Sequence, residues 1–251
     1  MGIDRELMNL VRSKNTVAQK LNYARYLMSA KGEALAFGPV TVSIVATTRC
    51  TLCCDMCPTH SRLVPRSYAH AQRSTKDMDL GMFREIIDRF SAAMNVQIIG
   101  SGEPLLNKDF FRMDDYAALR GMTVKTFSNG TTIADNMAAI LASRLDGITI
   151  SINGHDAAEF TRMTGMDGAI YGEIRRSAGR LVEERDRARS KVKVKLSFII
   201  DNHNYSKIPK MVETSLALGV DHTFFCNFLP CPSGGLTAGE RVLMSGSRVR
   251  A

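Results

Sequence analysis

A chain of 251 residues with 45% hydrophobic and 23% charged residues holds enough apolar material for a sizeable core, which excludes a disordered tail. Its length fits one large domain or two small ones. No run of about eighteen uncharged apolar residues occurs, and Asp4, Arg5, Glu6, Arg12 and Lys14 interrupt the N-terminal apolar positions; this excludes a membrane span and argues against a signal peptide. The net charge of +8 arises from 33 Lys and Arg against 25 Asp and Glu. Those residues are scattered, so a solvated basic surface explains them more simply than a nucleic-acid site.

In chain order, Val17, Leu21, Ala24, Leu27 and Met28 make a helical stripe, read as a helix packed on the outside or bottom of a sheet, within an N-terminal helical extension over 1–38. Lys31 to Pro39 is a linker. A core barrel is expected over 39–235, with strands from Thr41 to Ala46, Val96 to Gly100, Thr123 to Phe127, Gly147 to Ile152, Val192 to Ile200 and Thr223 to Phe228. Phe83, Ile86, Ile87 and Phe90 mark a helix between the first two strands, and Met137, Ile140, Leu141 and Leu145 mark another before the fourth. Further helices are expected over Asp109 to Leu119, Tyr171 to Arg187 and Ser206 to Leu218, the last with Pro209 in its first turn. Strand and helix in alternation predict an α/β fold, a partial TIM-type (β/α)6 barrel with an N-terminal helix and its C-terminal part truncated or absent. A short helix from Ala238 to Met244 opens a tail over 236–251.

The first strand runs into Cys50-Thr51-Leu52-Cys53-Cys54-Asp55-Met56-Cys57-Pro58, at the strand end where parallel sheets place ligand sites. Four of the six cysteines crowd here, too closely for several independent disulfides. A reducing, cytoplasmic compartment and metal ligation are therefore expected. Three thiolates spaced x3 and x2 apart can fold round one iron-sulfur cubane and leave one iron open, as a catalytic zinc site keeps a position open. Two alternatives stand on spacing alone. Cys50/Cys53 and Cys54/Cys57 could bind zinc as fused pairs, although zinc ribbons separate such pairs by about 15 to 20 residues. Cys50, Cys53 and Cys57 could hold the cluster with Cys54 idle.

Cys50-x3-Cys54-x2-Cys57, with Met56 before the last cysteine and Pro58 after it, resembles the signature of the radical S-adenosylmethionine (SAM) superfamily. Gly100-Ser101-Gly102-Glu103-Pro104 closes the second strand and resembles that family's Gly-Gly-Glu-Pro element, with Ser101 in place of the second glycine. That replacement would matter if the position needed a positive φ. Ser128-Asn129-Gly130 and Ser151-Ile152-Asn153-Gly154 close the next two strands in the family's order. The likeness runs from about Thr41 to Pro230 and is greatest to the branch carrying a C-terminal auxiliary-cluster domain of the SPASM or twitch type. Cys226 and Cys231 cannot complete an auxiliary site by themselves, so that domain is expected to be lacking.

The resemblance implies a 4Fe-4S cluster held by Cys50, Cys54 and Cys57, with SAM chelating the fourth iron and Cys53 a spare thiol. It implies contacts of the Met56 backbone with adenine, of Gly100, Ser101, Gly102 and Glu103 with the SAM ammonium, and of Ser128 and Asn129 with the ribose. Ser151 and Arg162 would take the SAM carboxylate. Asn227 is a candidate for the adenine or substrate face, and Cys226 for a buried small hydrophobe or a hydrogen donor. The implied reaction is one-electron cleavage of SAM to methionine and a 5′-deoxyadenosyl radical, which abstracts hydrogen from a peptide, sugar or other natural-product precursor. A one-electron reductase such as flavodoxin or ferredoxin would be the partner. The competing readings are an RNA-modifying enzyme of the same family and a non-catalytic zinc or iron-sulfur partner subunit or fragment.

Overall fold

The computed structural model describes residues 10, 13–29, 37–64, 67 and 75–227. Its spine is a six-stranded parallel sheet of β1 (Thr41–Thr47), β2 (Asn95–Gly100), β3 (Thr123–Ser128), β4 (Gly147–Ser151), β5 (Lys193–Ile200) and β6 (His222–Asn227), hydrogen-bonded in chain order. After α1 (Val17–Met28), the crossovers carry α2 (Leu80–Arg89), α3 (Phe110–Leu119), α4 (Ile133–Ala142), α5 (Ala157–Thr164) with α6 (Gly168–Ala188), and α7 (Ile208–Ala217). Right-handed crossovers between successive neighbours put all of those helices on one face of the sheet. The sheet therefore curls into the expected partial (β/α)6 barrel instead of lying between two helical layers.

Alternation along the strands explains the core. Val96, Ile98, Val124, Ile148, Ile150, Val194, Leu196 and Phe198 have no exposed surface and pack against Phe83, Ile87, Phe110, Met113, Ile140 and Ile174 of the helices. Each such aliphatic side chain contributes about 1.5–3 kcal/mol by leaving water. The intervening residues face away from the helices, into the lumen. By the strand register, Val45, Phe127, Lys125, Ser151, Lys195, Ser197, Phe224 and Cys226 lie on that face. Asn227 pairs in register with Ile200, whose place is on the helix side. The lumen position next to it belongs to Cys226, opposite Ile199.

Helix α1 is found where its periodicity predicts, but it docks by the opposite face. Val17 is 74% exposed and Met28 77%, with Leu21 and Leu27 also open. Its buried residues are Gln19 and Asn22. Gln19 Nε2 donates to the Ser91 and Arg120 carbonyls at 3.0 Å each, and Asn22 Nδ2 donates to Gly38, Pro39 and Ala92. Asn15, just ahead of the helix, donates to Met94 and Gly121 at 2.9 Å. The carbonyls of Ser91, Ala92, Met94, Arg120 and Gly121 lie just past α2 and α3, where helix ends leave acceptors unmet, and those of Gly38 and Pro39 just before β1. A polar stripe therefore closes the bottom of the barrel, because the surface it meets is backbone. The 236–251 tail, its short helix, Cys231 and most of the linker lie outside the described residues.

Candidate functional site

The site grows from the loop leaving β1. Cys50, Cys53, Cys54 and Cys57 are free and half-buried, and the Cys57 N–H donates to the Cys54 carbonyl at 2.9 Å, turning the loop back on itself. Burial first, then the neighbouring Cys57 and Cys50, pushes the Cys54 thiol up to about 12. Burial also raises Cys50, with Cys57 adding to it. Cys50 and Cys54 thus resist becoming thiolates, and a cationic metal centre would reverse that resistance. Cys53 points elsewhere, its Sγ 3.8 Å from Met166 Sδ. Among the described residues no three His, Cys, Asp or Glu converge closely enough for a single metal ion.

Three neighbouring loops hold the cysteine loop in place. The Gly100–Pro104 loop meets it backbone to backbone: Glu103 N–H donates to the Arg49 carbonyl at 2.7 Å. A Cβ on Gly102 would stand 1.9 Å from that same oxygen, so only glycine fits. Among the described residues only Asn153 and Arg189 have positive φ outside glycine, so Ser101 takes its place without strain. Its carbonyl accepts from Thr59 Oγ1 at 3.0 Å, and Thr59 Oγ1 also lies 3.1 Å from Cys57 Sγ. The α5 end supplies the second tie, with Asp55 N–H donating to the Thr164 carbonyl at 2.8 Å. Gly165, at φ 68°, leaves no room there for a Cβ against Asp55. Asn129, after β3, supplies the third: its Nδ2 reaches Cys50 Sγ at 3.6 Å and Thr51 Oγ1 at 3.0 Å. Arg49 is clamped bidentately on Asp77 at 2.7 and 3.0 Å.

Glu103 and Ser128 are brought together and turned inward. The Glu103 side chain is fully buried; its carboxylate accepts from Ser128 Oγ at 3.1 Å, Asn129 N at 2.6 Å and Leu105 N at 3.2 Å. Burial raises its pKa despite those three donors. The Glu103 carboxylate, expected at the SAM ammonium, is thus engaged in joining the β2 loop to the β3 loop. Gly100, Gly102, Asn129 and the half-buried Met56 sit at the loop surface around the cysteines.

Ser151 and Arg162 stand on the opposite side of the mouth. Ser151 Oγ is 3.1 Å from Ser197 Oγ. Arg162 uses three of its five N–H groups on carboxylates, two on Glu159 and one on Asp201. Lys207 Nζ takes the other Glu159 oxygen at 2.7 Å. Burial opposes the Glu159 charge, but the Arg162 and Lys207 hydrogen bonds prevail and lower it to about 2. The result is a closed set of two cations and two anions that leaves two Arg162 N–H groups for another acceptor. Glu159 and Arg162 stand three residues apart on α5, a readable helical pair. Asp201, Lys207 and Asp77 carry no sequence signal toward the site, since their bonds to Arg162, Glu159 and Arg49 span tens of residues.

The Radical SAM superfamily pattern matches residues 44–215, well over half of the chain. The chain belongs to the radical SAM superfamily. Its cofactors are accordingly a 4Fe-4S cluster and SAM, and its relatives are enzymes. A tungsten-containing aldehyde ferredoxin oxidoreductase cofactor-modifying protein of Pyrococcus furiosus is 26% identical over 189 residues, 73% of this chain and 50% of the relative. The PqqA peptide cyclase of Granulibacter bethesdensis is 23% identical over 191 residues, 75% of this chain and 47% of the relative. The chain spans about half the length of these relatives. Streptococcus suis SuiB bound to S-adenosylmethionine superposes with a TM-score of 0.62 at 14% identity, covering 78% of this chain and 42% of that one. Among the described residues no helix is long and apolar enough to cross a membrane.

Proposed function

We propose that this radical SAM protein holds its cluster with Cys50, Cys54 and Cys57 and acts on a peptide or other natural-product precursor. The observation that carries the ligand set is the direction of the thiols: Cys53 Sγ turns to Met166 Sδ at 3.8 Å, whereas Asn129 Nδ2 and Thr59 Oγ1 reach Cys50 Sγ and Cys57 Sγ. When bound, the cluster and SAM supply one-electron cleavage to a 5′-deoxyadenosyl radical that abstracts hydrogen.

The residues of the chain do the positioning. Asn129 Nδ2 donates to the Cys50 sulfur and steadies it, an interaction that raises a cluster's potential. The Gly100–Gly102 backbone and the Met56 backbone receive the SAM ammonium and adenine. Glu103 and Ser128 act from behind, fixing the two strand ends that present Asn129. The two free N–H groups of Arg162, with Ser151, take the SAM carboxylate, a geometry suited to a guanidinium fork. The peptide reading draws on the PqqA peptide cyclase and on SuiB, which has been crystallised with its precursor peptide SuiA. A flavodoxin or ferredoxin is the proposed electron donor.

Anaerobic reconstitution followed by dithionite tests the assignment. Cys50→Ala, Cys54→Ala and Cys57→Ala should each lose bound iron and 5′-deoxyadenosine formation, and Cys53→Ala should keep both. A colourless Cys53→Ala beside a loaded Cys54→Ala would overturn the register.

A further inference from the structure

The six strands contain Lys125, Lys193, Lys195 and His222 but no aspartate or glutamate. Lys193 is accounted for by Asp221, 2.9 Å away at the closed end of the barrel. Lys125 and Lys195 differ. Both are half-buried, both stand on the lumen face, and among the described residues neither has a carboxylate within ion-pair distance.

Several observations bring the two together. Lys125 pairs in register with Gly147, and the space over Gly147 is taken by the Lys195 stem, whose Cε lies 3.5 Å from where a Cβ would stand. The Lys195 ammonium also sits over the Phe224 ring, 5.6 Å from its centroid. Burial first, then Lys125 and Lys193, hold the Lys195 pKa below the ordinary lysine value against the opposing pull of Asp221. Around the two ammonium groups the lumen is open and mixed: Gln97 pairs in register with Lys125, and Thr149 and His222 with Lys195, while Val45, Phe127 and Phe224 on the same face are each at least 40% exposed. Lys125 lies three residues below Ser128, about 10 Å from the mouth, so it is separate from the Ser151 and Arg162 pair that receives the SAM carboxylate.

We infer that Lys125 and Lys195 form an anion-recognition site in the barrel lumen, which grips a carboxylate or phosphate group on a substrate that also lays apolar surface against the Phe224 ring. Calling the occupant the substrate rests on the function proposed above; the existence of the site does not. A half-buried cation pair beside exposed aromatic rings gains most from a ligand that brings both charge and apolar surface.

The test uses the anaerobically reconstituted full chain at low ionic strength with three probes: 3-phenylpropionate, phenyl phosphate and the neutral 3-phenylpropanamide. Equilibrium dialysis should show saturable binding of at least one anion and about tenfold weaker binding of the amide. Lys125→Met and Lys195→Met should each weaken the anion about tenfold or more, and Lys195→Arg should restore most of it. Acetylation footprinting on the unmodified sequence gives a readout independent of variant folding: the bound anion should protect Lys125 and Lys195 while exposed lysines react unchanged. Preference for propionate assigns a carboxylate, and preference for the phosphate ester assigns a phosphate. Equal binding of the amide, or no selective protection of the two lysines, would overturn the site. SAM cleavage is measured separately on the parent. Its loss with the anion response intact would sink the proposed function and leave the lumen site standing; the reverse pattern would sink the site alone.

Discussion

Replacing Gly102 with alanine probes how closely the cysteine loop is held. The added Cβ would stand 1.9 Å from the Arg49 carbonyl oxygen and 2.4 Å from its carbon, where real side chains keep at least 3.0 Å. Both are backbone atoms in the residue before Cys50, so no rotamer change relieves the clash. The two loops must part by about 1.1 Å, the gap between the first value and the last. Metal-ligand bonds tolerate about 0.2 Å, and a misplacement of about 1 Å costs roughly a hundredfold in rate. Gly102→Ala should fold, as judged by circular dichroism, yet bind substoichiometric iron and form 5′-deoxyadenosine about a hundredfold more slowly. A variant that loads iron and turns over like the parent would show that this contact does not position Cys50.

Three further outcomes follow from the same geometry. Gln19→Leu, which strands the Ser91 and Arg120 carbonyls, should lower unfolding free energy by about 3 kcal/mol in urea titrations, whereas Leu21→Ser, on the exposed face, should stay within about 0.5 kcal/mol; the reverse ranking would refute the polar docking of α1. Asp114 is buried, and that burial raises its carboxyl from 3.8 to about 7. The folded state thus holds the proton more tightly, so stability falls as pH climbs from about 4 to 7, by up to about 4 kcal/mol. Asp114→Asn should flatten that dependence and exceed the parent at pH values above 7, and matching pH profiles would discard the argument. Glu159→Gln should raise the KM for SAM about tenfold with less effect on kcat, because it loosens Arg162 without touching the cysteines; an unchanged KM would remove Arg162 from SAM binding.

The strands were legible because each alternates or runs apolar between turn residues, and every one begins and ends within a residue of its expected limits. The cysteine cluster and the Gly-Glu-Pro element stand out through their short spacings, but spacing alone leaves Cys53 and Cys54 interchangeable, and the choice of Cys50, Cys54 and Cys57 comes from the resemblance. Side-chain direction was not. Glu103 reads as a carboxylate at an open strand end, but the donors that turn it inward come from Leu105, Ser128 and Asn129, two of them a strand away. Helix α1 shows the same limit more sharply. Periodicity locates a helix and marks its apolar stripe, yet it is silent on whether the receiving surface is side chain or bare carbonyl. Asn227 fails by parity, since one residue of register decides which side of the sheet a side chain takes.

The cysteine loop is tied to three separate βα units, through Glu103 on Arg49, Thr164 on Asp55 and the Asn129 side chain on Cys50. None of those partners lies near it in sequence, so the cradle exists only once most of the barrel has closed. Metal uptake is then the last act of maturation, and the colour of the loaded protein doubles as a gauge of its folding: loosening any one unit, however far from the irons, should bleach the whole.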